Sequence, residues 1–215
     1  EESFNRLTAV REMKASQLED YFKDIEDQII TLAETPNIIR SLKAFNTAFE
    51  NIETDLNLND TAINAVNRKL EDYFQTHYLA RLNKNILQKA TFEKEASPDK
   101  RTRLLQDLYI ASNPYPAGEK QMLDSAGDKS SYTDLHKTFH PRIRNYIKRF
   151  GFYDLFLVDS ETGNIVYTVF KEVDFGTSLL TGPFKETNLA DAFRAANSSD
   201  EKGYVKLVDY RNNRP

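Results

Sequence analysis

Apolar residues recur along the opening of the chain at intervals of three and four. Leu18, Tyr21, Ile25, Ile29 and Leu32 share one face over residues 3–34, charges fill the others, and Phe4, Leu7 and Val10 extend the stripe toward the start. About thirty helical residues reach roughly 45 Å, longer than a small domain is wide, so this helix is a spine or a rod. Thr35-Pro36 stops it, because the residue before a proline disfavours helical backbone. A second stripe follows at Ile38, Ile39, Leu42, Phe45 and Phe49, and the polar stretch 51–60 reads as a loop. Asp60 or Thr61 can cap a third helix whose buried stripe is Ile63, Val66, Leu70, Tyr73, Phe74 and His77, continuing past Leu82 and Ile86 with an interruption near Thr91. Ser97-Pro98 predicts another start, with Leu104, Leu105, Leu108 and Tyr109 on its apolar face.

The pattern changes after Ser112. Residues 113–118 hold two prolines and a glycine and exclude a regular element. Ser131 with Asp134 predicts a helix start, His140-Pro141 a kink or restart, and Gly151 a helix end. The period then switches to that of strands: Leu155–Val158, a turn at Gly163-Asn164, and Ile165–Phe170 predict a hairpin. Thr187 or Asn188 opens a last helix, and Tyr204–Tyr210 reads as a third strand. The fold class is α+β, with a helical part over 1–110 and an α+β part over 111–215.

Composition narrows the function. There are 29 Lys and Arg against 33 Asp and Glu, a net charge of −4, which argues against nucleic acid as a partner. The absence of Cys excludes disulfides, thiol chemistry and Cys-ligated metals. Seven Gly, where average usage gives about fifteen, fit a chain rich in helix. The chain opens on Glu1 inside a helix already in progress, as an excised segment of a larger protein would. Charge is segregated: −5 over residues 1–100, +4 over 101–150 and −3 over 151–215.

Each constellation with chemical potential has a plainer reading. His136 and His140 stand four apart, the spacing for a shared metal, but Lys137 replaces the usual glutamate and no third ligand is suggested. They read as partly exposed rings bordering a loop. Arg142, Arg144, Lys148 and Arg149 read as a solvated helix face, with an anion site as the other reading. Asp154, Asp159 and Asp174 flank the hairpin, and Asp159 reads as bonding its own turn. Catalysis would require a buried, close pair among Asp154, Asp174 and His140. No nucleophile elbow, phosphate loop or dinucleotide fingerprint is present, so no enzymatic activity, catalytic residue, metal or cofactor is expected.

The run Tyr153-Asp154-Leu155-Phe156-Leu157-Val158-Asp159, followed by Gly163-Asn164-Ile165-Val166-Tyr167, resembles the extracytoplasmic Cache sensor region of bacterial transmembrane receptors, chiefly methyl-accepting chemotaxis proteins. Residues 171–179, Gly182-Pro183-Phe184, Asn113-Pro114, Gly118-Glu119-Lys120 and the opening Ser3-Phe4-Asn5 with Leu7, Val10 and Arg11 also fit, so the likeness covers nearly the whole chain. It implies a PAS-like antiparallel sheet with more strands than the three counted here, hence a sheet truncated at the C-terminus. It implies that the long first helix connects to a membrane span and that this segment is periplasmic or extracellular, part of an inner-membrane receptor. It implies a small-molecule ligand held by Tyr153, Tyr167, Lys171, Asp174, Asp209 and Tyr210, with Tyr132 and Arg149 more remote. A homodimer is expected, with ligand binding shifting the population of two arrangements of the long helix. The output domain could equally be a histidine kinase or nucleotide cyclase, and a helical interaction module is the competing class.

Overall fold

A computed structural model describes residues 2–209. Helix α1 runs Glu2–Glu34, and Thr35, held extended before Pro36, separates it from α2, Pro36–Leu56. The stretch expected as a loop from residue 51 is helical to Leu56, because Ile52 is fully buried and Leu56 packs on the core. The turn that ends it is a left-handed Asn57, whose N–H bonds the Glu53 carbonyl. Asn59, one residue earlier than expected, caps α3 (Asp60–Tyr73) by accepting from the Ala62 N–H at 2.9 Å.

After α3 the helix loosens into a π-helical segment, Phe74–Leu79, before α4, Ala80–Asn85. The extra residue in that turn buries Phe74, Tyr78 and Leu79 and leaves His77, expected inside, exposed. Short α5 (Phe92–Glu95) and α6 (Lys100–Gln106) follow, the latter capped by Asp99 rather than by Ser97. A second π-helical stretch, Asp107–Ala111, completes α6. Helix α7, Ser131–Phe150, is capped by Ser130 and passes through Pro141 as one helix, not a restarted one. Gly151 ends it at φ +75°, donating to the Ile147 carbonyl.

Strands β1 (Phe156–Val158) and β2 (Ile165–Thr168) form the expected antiparallel hairpin, with a bulge between Leu157 and Val158. Its turn is held by Asp159, whose carboxylate accepts from Thr162 N at 2.7 Å and Thr162 Oγ1 at 2.6 Å, as the sequence suggested. Helix α8, Asn188–Asn197, is capped by Thr187. The third strand does not form: residues 204–209 make no ladder, and Tyr210 lies outside the described residues. The free side of β2 is already occupied by the returning chain, through Gly176 N to Ile165 O, Ile165 N to Thr177 O and Leu179 N to Gly163 O at 2.8–3.0 Å. The described chain is therefore mostly helical with a two-stranded antiparallel sheet, an α+β arrangement.

The main core joins residues on both sides of residue 110. Phe45 and Phe49 of α2, Tyr109, Tyr132 and Phe139 pack with Val166 and Tyr167 of the hairpin. The Phe45 ring lies 4.9–5.3 Å from those of Tyr132, Phe139 and Tyr167. Helix α6 clamps the returning chain: Gln106 Nε2 donates to the Val173 and Phe175 carbonyls at 2.8 Å, and Thr102 Oγ1 to that of Gly176 at 2.7 Å. The last turns of α1 meet this body, with Leu32 on the core, Ile29 and Ile30 beside Gly203 and Tyr204, and Glu34 3.4 Å from Lys202. The first two-thirds of α1 projects, with Phe4, Leu7, Leu18 and Tyr21 exposed. Phe45→Ala should cost about 3–5 kcal/mol in urea unfolding, since α2, α7 and β2 all lose their shared contact; a loss under 1 kcal/mol would show that the three elements pack independently.

Candidate functional site

The sequence places Lys171 three residues beyond β2, and the backbone there turns left-handed (φ +59°) to drive its side chain inward. Only 2% of the residue is exposed. The ammonium donates to the Thr168 carbonyl and faces three rings, Tyr167 at 4.5 Å, Phe175 at 5.2 Å and Tyr109 at 5.8 Å. Burial pulls its pKa down, and the field of Asp154 opposes that shift.

Asp154 ties off the open end of the hairpin. Its carboxylate accepts from Thr168 Oγ1 at 2.5 Å and from the N–H groups of Leu155 and Val169 at 2.6 and 2.9 Å. Burial nevertheless pushes its pKa up. Asp174 is buried with its Oδ1 unpartnered. Desolvation, then Glu172 and Asp154, raise its carboxyl to about 7.

Helix α7 presents the other wall of this interior. His136 and His140, expected to be partly exposed, are wholly buried, because positions 132, 136, 139, 140, 143 and 147 form the face that α7 turns to the core. Their rings stack at 4.3 Å. The Asp124 carbonyl, 2.9 Å from His136 Nδ1, can only accept, so the proton sits on Nδ1 and Nε2 is left without a partner. By the same logic His140 Nε2 donates to the Gln121 carbonyl at 2.7 Å, and His140 Nδ1 accepts from the Tyr167 hydroxyl at 2.8 Å. Burial, then Lys171, holds both histidines below their ordinary range, His140 at about 2. Among the described residues no group of three or more His, Asp and Glu gathers as metal ligands. Arg144, assigned above to a solvated face, instead donates to the Gln121 carbonyl and Asp124, both at 2.7 Å, pinning the 121–124 loop. Arg142, Lys148 and Arg149 are exposed.

Outside this interior lies a cleft of about 840 Å³ between the π-helical segment with α4, the 117–120 loop and the chain leaving the hairpin. Tyr73, His77 and Arg81 line it at intervals of four, and the extra residue of the π turn brings Tyr78 and Leu82 onto the same wall. The facing wall is Tyr153, Phe170, Lys171, Glu172 and Val173. Tyr153 is 68% exposed, stacks on Phe170 at 5.2 Å and donates to Glu172 Oε1 at 2.9 Å. Lys120 donates to the Asn113 carbonyl at 2.9 Å beneath the Tyr73 ring.

Compared with known protein families, curated proteins and solved structures, the chain has no match.

Of the expected ligand residues, Tyr153 and Lys171 line the cleft. Tyr167 and Asp174 lie in the interior behind it, and Tyr132 is fully buried, donating to the Val166 carbonyl at 2.8 Å. Asp209 lies elsewhere, its carbonyl accepting from Asn188 Nδ2 at 2.7 Å, and Tyr210 falls outside the described residues. Tyr73, His77, Arg81 and Lys120 are not predicted as a lining by the sequence; the spacing of the first three by fours carries the signal, but the apolar stripe assigns Tyr73 and His77 to the core.

Asp174→Asn gives this site a signed pH test. The native carboxyl keeps its proton to a higher pH than the unfolded one, so the wild-type chain loses stability as pH rises from about 4 to about 7 and then levels off. The Asn variant carries no such cost. Its advantage should be near zero at pH 4 and grow to about 2–4 kcal/mol at pH 8 in denaturant melts; an advantage that does not change with pH would overturn the assignment.

Proposed function

We propose that the chain is the extracytoplasmic ligand-sensing module of a transmembrane chemoreceptor, with a PAS-like domain whose cleft receives a small molecule. The observation that carries this reading is the cleft itself. One of its walls belongs to the helical part and the other to the chain leaving the hairpin, so an occupant changes the relation between the two. No enzymatic activity or cofactor is assigned. Among the described residues no helix is long and apolar enough to cross a membrane, so on this reading the span belongs to the remainder of the receptor.

The exposed face of α1 supplies the second half of the proposal, a homodimer. Phe4 and Leu7, and then Leu18 and Tyr21 fourteen residues on, are exposed and stand at the spacing at which a helix keeps one seam against a partner, with Arg11 and Lys14 in the heptad between them; Leu32, in register with Phe4 and Leu18, already packs on the core. A rod carrying such a seam can convert occupancy of the cleft into a small shift or rotation at its far end. The same seam also supports the competing reading, a helical interaction module without a ligand.

A ligand screen separates these readings, and a second experiment tests the seam that both share. In thermal unfolding against amino acids, organic acids and amines, at least one class should raise Tm, by the equivalent of about 2.7 kcal/mol at a hundredfold excess over Kd, and Tyr153→Ala should reduce the rise. A flat response throughout would remove the sensor reading. In sedimentation, the chain should associate and Leu18→Glu should make it monomeric; unchanged association would place the dimer contact elsewhere.

A further inference from the structure

The polar groups on the cleft lining are satisfied unevenly. Lys171 is enclosed by its three rings. Lys120 spends one N–H on the Asn113 carbonyl, and burial lowers its pKa. Glu172 is the only acidic side chain on the lining among the described residues. It accepts from the Tyr153 hydroxyl, and burial raises its pKa, so the negative charge it brings is weakened. Arg81 is the exception. Its guanidinium makes no hydrogen bond or ion pair with any described residue, although its field reaches the Tyr73 hydroxyl. The cleft thus holds more positive than negative charge, with one cation at its edge uncommitted.

Asn85 Nδ2 donates to the Arg81 carbonyl at 3.2 Å and His77 Nδ1 shares a hydrogen bond with Thr76 Oγ1 at 2.7 Å, and the remaining side chains of the lining are apolar or aromatic. Tyr73 stacks on His77 at 4.8 Å with the planes 3° apart, and Tyr153 stacks on Phe170 at 8°. Leu82, Ile86 and Val173 fill the spaces between. Such walls suit a flat or compact hydrocarbon body and offer few donors to a sugar or a polyol. A single uncommitted guanidinium matches one carboxylate in a two-point fork. A polyphosphate would need several free cations, and here Lys120 and Lys171 are already engaged.

We propose that this cleft selects small carboxylic acids with an apolar or ring-bearing body, the carboxylate being gripped by Arg81. This rests on the sensing role proposed above and names the ligand class for the same cleft. An amine of the same shape would meet Arg81 and Lys120 as like charges, and a neutral amide would leave the guanidinium half-used. Selection would therefore depend on ligand charge more than on shape.

The test is calorimetric titration of the full chain with acetate, benzoate, phenylacetate and succinate, against phenylacetamide and phenethylamine, at fixed ionic strength. At least one ring-bearing acid should bind, the amide should be about tenfold weaker or worse, and the amine should give no heat. Arg81 is exposed, so Arg81→Gln should fold with an unchanged unliganded Tm and lose about tenfold in affinity, with Arg81→Lys between it and the wild type. Equal binding of acid and amide, or an Arg81→Gln affinity equal to wild type, overturns the acid assignment and leaves the sensing role standing. Binding of the amine alone does the same. Silence from every probe here and in the thermal screen removes both.

Discussion

The structure turns on one buried ammonium. Removing a lysine from water costs several kcal/mol unless other groups replace the solvent, and Lys171 is replaced on every side. A carbonyl accepts a hydrogen bond, three ring faces offer negative quadrupole, and Asp154 supplies a counter-field from the end of the hairpin. Those three rings come from separate parts of the chain: the π-helical stretch after α6, β2, and the segment that returns along β2. That charge therefore acts with the Phe45 ring and the Gln106 and Thr102 bonds in holding the helical part to the hairpin, and the left-handed backbone at residue 171 is the local strain accepted to put it there.

The two histidines of α7 follow from that charge. Each is forced neutral by burial and by the ammonium, and a neutral imidazole has one donor and one acceptor to place. His140 places both, so Tyr167 is fixed at its hydroxyl as well as at its ring. His136 places only its donor. The donors go to carbonyls of the 121–124 loop, which Arg144 grips from the same helix. The loop that approaches the cleft at Lys120 is thus anchored through the core rather than through its own surface.

Much of the helical frame was legible in the sequence, because its signals are local. Thr35-Pro36, Gly151, Asp159 and the apolar stripes act through steric limits, turn bonds and burial that extend over only a few residues. What was not legible depends on partners distant in the chain. Tyr204–Asp209 has the alternation of a strand, but an edge must be free to receive it, and the returning segment 176–179 already pairs with β2. His136 and His140 looked like loop neighbours because nothing local says which face of α7 is covered. Tyr153 and Lys171 were found near the hairpin, whereas the opposite wall of the cleft was hidden by a helix that does not keep one period.

That broken period has an evolutionary consequence. A π turn behaves as a single residue inserted into an α-helix. Removing one residue from 74–79 would let the segment relax to regular hydrogen bonding, and all that follows would rotate by about 100°. Tyr78 would leave its bond to Glu95, and the row containing Arg81 would swing off the cleft while the hairpin wall stayed intact. Proteins descended from the same ancestor could therefore keep the fold and change or lose the ligand through a one-residue difference in length, which a count of substitutions alone would pass over.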